Sequence, residues 1–160
     1  MPPTNAQIAA LFDDLADVLE IKKDRWFKIR AYRRAADAIR GLPETLESLF
    51  HEGRDLKAIP GIGEAIARKI GELVATGRVA TYEREKGSLP EAFRLLVDLP
   101  GLGPKVAWRL VQETGAQTRE ELESALVGNP PAWLPTIGEG SLEAILERLP
   151  GRVPPGVVKV

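Results

Sequence analysis

Two twelve-residue strings hold the residue types best suited to chemistry. Ile59-Pro60-Gly61-Ile62-Gly63-Glu64-Ala65-Ile66-Ala67-Arg68-Lys69-Ile70 returns forty residues later as Leu99-Pro100-Gly101-Leu102-Gly103-Pro104-Lys105-Val106-Ala107-Trp108-Arg109-Leu110. A worn third copy reads Leu134-Pro135-Thr136-Ile137-Gly138-Glu139-Gly140-Ser141-Leu142. In the two full copies a pair of glycines brackets one apolar residue just ahead of a predicted helix. The proline stops the preceding helix, the glycines permit a tight, partly left-handed turn, and the apolar residue between them can point back and pin the turn to the core. The first N–H groups of the new helix have no partner inside it. Together with the helix dipole they make an anion site that suits a phosphate. Backbone N–H contacts are therefore expected near Gly61, Gly63, Gly101, Gly103, Lys105 and Val106. One Gly-x-Gly is a weak signal, but a repeat in one register organises the whole chain. The plainer alternative is three helix–turn–helix joints without a ligand.

Composition argues against several other chemistries. There is no Cys and a single His, which speaks against a disulfide framework, a thiolate metal site or a His-based catalytic site; His51 reads as a surface residue. No apolar run reaches membrane length and the N-terminus lacks a signal-peptide core, so a cytoplasmic protein is expected. The net charge is only −1, yet it is unevenly spread. Within residues 22–40, Lys22, Lys23, Arg25, Lys28, Arg30, Arg33, Arg34 and Arg40 stand against Asp24 and Asp37, a local +6 that leaves −7 for the remainder. That asymmetry suggests a basic face on an acidic body, a pattern fitted to nucleic acid.

The elements that must position these residues read as helices. Ile8, Leu11, Phe12, Leu15, Val18 and Leu19 recur at helical spacing and predict an amphipathic helix over 5–21. Asp24 is the expected N-cap of a second helix that runs to about residue 40, with Phe27, Ala31, Ala35, Ala38 and Ile39 on its apolar side and Gly41 closing it. Pro43 is expected to open a third helix through Phe50. Helices over 64–75 and 80–86 follow, and Gly87-Ser88 is the best linker. Further helices are predicted over 90–98, 104–114, 119–127 (with a Thr118/Glu121 capping box) and 139–148. Trp26 and Trp108 read as core or helix-contact residues rather than base-stacking platforms. The fold class is all-α. The expected domains are 1–87, 88–149 and a Pro/Gly-rich tail over 150–160, weakly strand-like only at Val157–Val160.

The repeated string is similar to the helix-hairpin-helix of DNA repair proteins, whose hairpin binds the DNA backbone through main-chain N–H groups and whose turn carbonyls hold a monovalent cation. Phe27-Lys28-Ile29-Arg30-Ala31-Tyr32-Arg33-Arg34-Ala35-Ala36, ahead of Pro60-Gly61-Ile62-Gly63, resembles the N-terminal lyase domain of family X DNA polymerases, as does Leu73-Val74-Ala75-Thr76-Gly77-Arg78-Val79 after it. The second hairpin, with Thr118-Arg119-Glu120-Glu121-Leu122 beyond it, resembles that family's duplex-binding subdomain, and the third looks like the bacterial branch. The likeness covers about residues 5–148. It implies tandem helix-hairpin-helix units, a polymerase-beta-like lyase domain followed by a second helical DNA-binding subdomain. It also implies sequence-independent binding of gapped, nicked or 5′-phosphorylated DNA at the nucleoid, in base excision repair.

The resemblance further implies 5′-deoxyribose-phosphate lyase chemistry. A helix lysine, Lys69 by register, would attack C1′ of the sugar, form a Schiff base and release the sugar phosphate by β-elimination. Lys28 and Tyr32 match the phosphate pocket, and the basic helix adds Arg33 and Arg34 to the DNA-binding set. The cation-binding carbonyls carry over to Lys57, Ile59 and Ile62, and to Val97, Leu99 and Leu102, with Na⁺ or K⁺ as the only ion expected and no cofactor required. Some positions depart from the family: Ala65 and Thr81 stand where some members have lysines, Phe27 where some have a DNA-stacking histidine, and Arg68 where relatives carry an acid. Glu64 lies where a phosphate would approach. From the residues alone, a Schiff-base lysine needs a free amine. Arg68 and Lys28 are the expected cations that would disfavour its ammonium form, and Glu72 opposes them; the alternative is a solvated or phosphate-contacting lysine. No two Asp residues stand at Asp-x-Asp spacing and none follows Asp98, so the chain by itself is not a nucleotidyl transferase. A polymerase palm domain would be a partner outside it. A non-catalytic DNA-end clamp and a helical protein-interaction domain are the other two readings.

Overall fold

The computed structural model describes residues 2–151. Every regular element among them is helical, and they divide into two compact units, one ending at Lys86 and one starting at Gly87. The Val157–Val160 end and most of the expected tail lie outside the described residues.

In the first unit, α1 (Asn5–Ile21) opens on a capping box: the Gln7 amide donates to Thr4 Oγ1 and the Thr4 amide to Gln7 Oε1. Its Ile8, Phe12, Leu15 and Leu19 are buried. A turn with Lys23 at φ 57° leads into α2 (Trp26–Arg40), whose N-cap is Arg25 without a side-chain cap. Asp24 falls one position early, and its carboxylate accepts the Arg25 amide at 2.6 Å. The two helices run antiparallel, with Arg33 reaching Asp17 and Glu20 while Arg40 reaches Asp13. The buried residues of α2 are Ala35, Ala36 and Ile39. Phe27 and Ala31, expected on the same side, are exposed and line a cleft.

The helix α3 (Leu46–His51) starts three residues later than Pro43 suggested. The Thr45 hydroxyl caps it, and Asn5 clamps its start by donating to the Glu44 carbonyl and accepting the Leu46 amide. After one 3₁₀ turn (Leu56–Ala58) and the first hairpin come α4 (Glu64–Thr76), closed by Gly77 in the left-handed conformation, and α5 (Ala80–Gly87). Glu72 of α4 accepts the Ala80 amide at the start of α5.

The second unit contains α6 (Glu91–Val97), α7 (Gly103–Thr114), α8 (Arg119–Gly128) and α9 (Leu142–Arg148). Phe93, Leu96, Leu110, Leu122, Leu126 and Ile145 are fully buried in it. Trp108 meets the Phe93 ring edge-on at 5.9 Å, a helix contact as expected. Thr118 caps α8 by accepting the Glu121 amide, but its hydroxyl also donates to Glu121 Oε1, so only half of the reciprocal box forms. The third repeat departs most from its sequence register. Thr136 occupies the place of Gly61, and the positive φ moves to Gly138 (96°). The helix then begins at Leu142 behind a Ser141 cap instead of at 139. Ile137, the counterpart of the pinning residue, is 84 % exposed.

Candidate functional site

The first hairpin is built by a few local hydrogen bonds. Asp55 accepts the Lys57 amide, Leu56 O accepts the Ile59 amide, and Ile59 O accepts the Ile62 amide at 3.0 Å. Gly61 sits at φ 94°, and a Cβ placed there would lie 3.2 Å from Ala38 Cβ and 3.4 Å from the Arg34 carbonyl. The turn is thereby seated on α2, with Ile62 buried beneath it. Gly63 is the N-cap of α4 in an extended conformation that any residue can adopt, and a Cβ there would meet nothing within 4 Å. The first residues of α4, Glu64 to Ile66, border the same cleft as Gly63. Only the Gly61 half of the turn is left-handed, which fits the partly left-handed turn expected of the glycine pair.

In front of this turn lies a cleft of about 820 Å³. The helix α2 contributes Phe27, Lys28, Tyr32 and Arg34; the hairpin contributes Lys57, Ile59 and Gly61 through Gly63; α4 contributes Lys69; and α5 contributes Thr81, Arg84 and Glu85. Lys69 Nζ lies 5.9 Å from the centre of the Tyr32 ring, and that ring stacks on Phe12 at 6.0 Å with the planes 10° apart. Burial lowers the Lys69 pKa, the Arg68 and Arg84 charges push it the same way, and Glu72 opposes them. Arg84 thus takes the part expected of Lys28, whose ammonium stands 3.7 Å from Asp24 instead. Burial also raises the Tyr32 phenol, helped by Glu85 and Asp24 and opposed by Arg84.

The structure brings Lys28, Tyr32, Arg34, Lys57, Ile59, Gly61, Ile62, Gly63 and Lys69 around one space. It leaves Arg33 out. Its guanidinium lies 2.6 Å from Asp17, 3.0 Å from Glu20 and 3.5 Å from Asp13, on the α1 side of α2. Arg84 and Glu85 escaped the sequence reading because α5 buries only Tyr82, so its apolar pattern does not say which face turns inward. The i, i+3 pair of Thr81 and Arg84 was the available signal. Trp26, expected in the core or at a helix contact, is 70 % exposed. It stands two and a half turns before Ala35 and so on the opposite side of α2. Among the described residues no group of three or more His, Cys, Asp or Glu could hold a metal ion. The candidate donors at the hairpins are neutral carbonyls, a set that fits a weakly held monovalent cation better than a divalent one.

The remaining predicted positions belong to the second unit. Gly101 and Gly103 have φ of 84° and 75°, Leu102 is buried, and Lys105 and Val106 lie in the first turn of α7. Val97 ends α6 and Leu99 donates its amide to Leu96 O. This hairpin differs from the first in being backed by the third repeat: a Cβ on Gly101 would fall 2.7 Å from Glu139 Cβ and 3.3 Å from the Gly140 nitrogen.

Residues 3–79 match the helix-hairpin-helix domain family. The chain is 32 % identical over 142 residues to the DNA polymerase/3′-5′ exonuclease PolX of Bacillus subtilis (strain 168), an alignment covering 89 % of this chain and 24 % of that protein. It is 30 % identical over 125 residues to DNA polymerase lambda of Arabidopsis thaliana, covering 77 % of this chain and 22 % of that one. The chain thus spans about a quarter of the length of the curated relatives it matches.

Proposed function

Because the chain belongs, as a helix-hairpin-helix region, to the family X DNA polymerases, we propose that it binds DNA at gaps and nicks and that Lys69 performs 5′-deoxyribose-phosphate lyase chemistry in base excision repair on nucleoid DNA. The observation that carries this reading is the placement of a half-buried lysine amine, its pKa lowered, on the same cleft as the open helix start behind Gly63. A phosphate held by the α4 amides, with Lys28, Arg34 and Lys57 around it, leaves the sugar beside Lys69. The amine adds to the C1′ aldehyde and water leaves to form the imine. Loss of the C2′ proton to water then breaks the C3′–O bond, the DNA departs with its 5′-phosphate, and hydrolysis of the remaining imine by a second water releases the unsaturated sugar phosphate and returns Lys69 as the amine. Tyr32 positions the lysine from beneath.

In the second unit, the amides near Gly101, Gly103, Lys105 and Val106 grip the duplex backbone, a contact that carries no base information. Carbonyls of Lys57, Ile59 and Ile62, and of Val97, Leu99 and Leu102, would hold Na⁺ or K⁺ when DNA is bound. Nucleotidyl transfer needs a palm domain from outside this sequence.

Borohydride reduction on incised abasic DNA, without added metal, tests the chemistry. We expect a covalent protein–DNA adduct with the native protein. Lys69→Ala should lose at least tenfold of it while DNA affinity changes by about twofold, since one of several phosphate contacts is lost. No adduct with the native protein would favour the non-catalytic clamp, a reading supported by Glu64 and Glu85 on the cleft wall and by Ala65 and Thr81 in place of cations. Adduct surviving in Lys69→Ala would move the nucleophile to another amine, Lys28 first.

A further inference from the structure

One carboxylate of the cleft has no part in the mechanism above. Glu64 and Glu85 both line that space, where a negative charge works against the phosphate to be held. Glu64 opens α4, exposed, at a helix start that suits an acid. Glu85 has no such account. It lies near the end of α5 with its side chain only 18 % exposed. One carboxylate oxygen is ion-paired with Lys22, just past the end of α1, and the other stands 3.9 Å from Arg84. Its charge also reaches the Tyr32 phenol and raises that pKa. Lys69 Nζ lies 5.9 Å from the centre of the same ring. Amine and carboxylate thus approach one aromatic side chain, the first from α4 and the second from α5.

We propose that Glu85 is the general base of the elimination step, acting through the water that removes the C2′ proton. This rests on the reading of Lys69 as the imine-forming lysine. Once the imine has formed, its nitrogen is spent and Lys69 cannot serve as the base. The guanidinium and ammonium groups around the cleft carry no lone pair to accept a proton, and the raised Tyr32 phenol stays a neutral donor. Glu64 stands at the phosphate end, beside Gly63. A carboxylate one water away from the reacting carbon is within the reach that general-base catalysis requires. The water takes the C2′ proton and passes one of its own to a Glu85 oxygen. The C2′–H electron pair becomes the C2′=C3′ double bond, and the C3′–O pair leaves on the 5′-phosphate oxygen of the DNA. Glu85 then returns its proton to solvent. The Lys22 ion pair fixes the carboxylate in place for this step.

The test uses the full chain in single turnover on incised abasic DNA and reads two rates. One is adduct trapped by borohydride; the other, without borohydride, is the appearance of DNA with a free 5′-phosphate. Glu85→Gln should trap adduct at the native rate but release product about a hundredfold more slowly, so that imine accumulates. Glu85→Asp should keep part of the release rate. Formate should restore part of the release in Glu85→Ala, and chloride at the same ionic strength should not. Circular dichroism should show each variant folded as the native chain. Equal falls in trapping and release would make Glu85 a group that serves binding or Lys69. Native release in Glu85→Gln would leave the carboxylate as a tie between α1 and α5 only. Either result overturns the proposal and leaves the Lys69 chemistry intact. If the native protein traps no adduct, the lyase reading falls and this proposal with it.

Discussion

At the scale of single residues, the proposed chemistry turns on what disfavours the Lys69 ammonium. Burial comes first, then two guanidinium groups, Arg68 one residue before it and Arg84 from α5. Removing either charge raises the Lys69 pKa toward its ordinary value, so less free amine exists at neutral pH. Arg84→Ala should therefore slow adduct formation severalfold near pH 7 and recover the native rate at higher pH, with its pH–rate curve displaced upward. Arg84→Lys should restore the native curve. A curve that drops without moving would instead make Arg84 a phosphate contact only. Arg33 offers a contrast: it was expected on DNA, yet three carboxylates of α1 surround it, and its removal should act on the α1–α2 pairing before it acts on binding.

At the scale of elements, the two glycines of the first hairpin have separate duties. Gly61 has a left-handed φ and lies against Ala38 and Arg34, whereas Gly63 is extended with open space before it. Gly61→Ala should destabilise the first unit by about 1–3 kcal/mol through backbone strain and close contact. Gly63→Ala should leave stability within about 0.5 kcal/mol of the native chain, as measured by urea unfolding, and act on DNA affinity instead. The pinning residues divide in the same way. Ile62 is 4 % exposed and Ile137 84 % exposed. Ile62→Ser should cost about 2–4 kcal/mol, whereas Ile137→Ser should be neutral. A comparable loss at both positions would show that the third repeat is pinned like the first.

At the scale of the whole molecule, charge is spent inside the fold before any is offered outward. Arg33, Arg40 and Lys22 pair with carboxylates of α1 and with Glu85, Lys28 stands 3.7 Å from Asp24, and Arg30 and Arg34 are exposed on α2. The carboxylates pay a cost in turn. Burial and its neighbours Asp17 and Asp13 raise the Asp14 pKa to about 6, against the attraction of Lys86. The folded state thus keeps a proton that the unfolded chain gives up at lower pH, and stability falls as pH rises through that interval, levelling above about pH 6. Asp14→Asn should raise the melting temperature by a few degrees at pH 7.5, about 1 kcal/mol after solvent screening, and the gain should vanish below about pH 4. A gain that does not change with pH would remove Asp14 ionisation as its cause. Among the described residues no helix is long and apolar enough to cross a membrane.

Helical periodicity and the Gly-x-Gly repeat were legible in the sequence because both depend on near neighbours. The span of α1, the Gly77 end of α4 and the all-helical class follow from spacing and from turn residues. The likeness to family X polymerases lay in the same local strings. Tertiary packing decided what local pattern leaves undetermined. Asn5 moved the start of α3 by reaching across from α1, and the loss of one glycine at Thr136 shifted the third turn. Which side of α2 is buried depended on the cleft, since Phe27 and Ala31 face open space there as readily as they would a core. The same packing brought Arg84 to Lys69 and left Trp26 bare. A residue's surroundings are set by chain segments far away in sequence, and no periodicity encodes them.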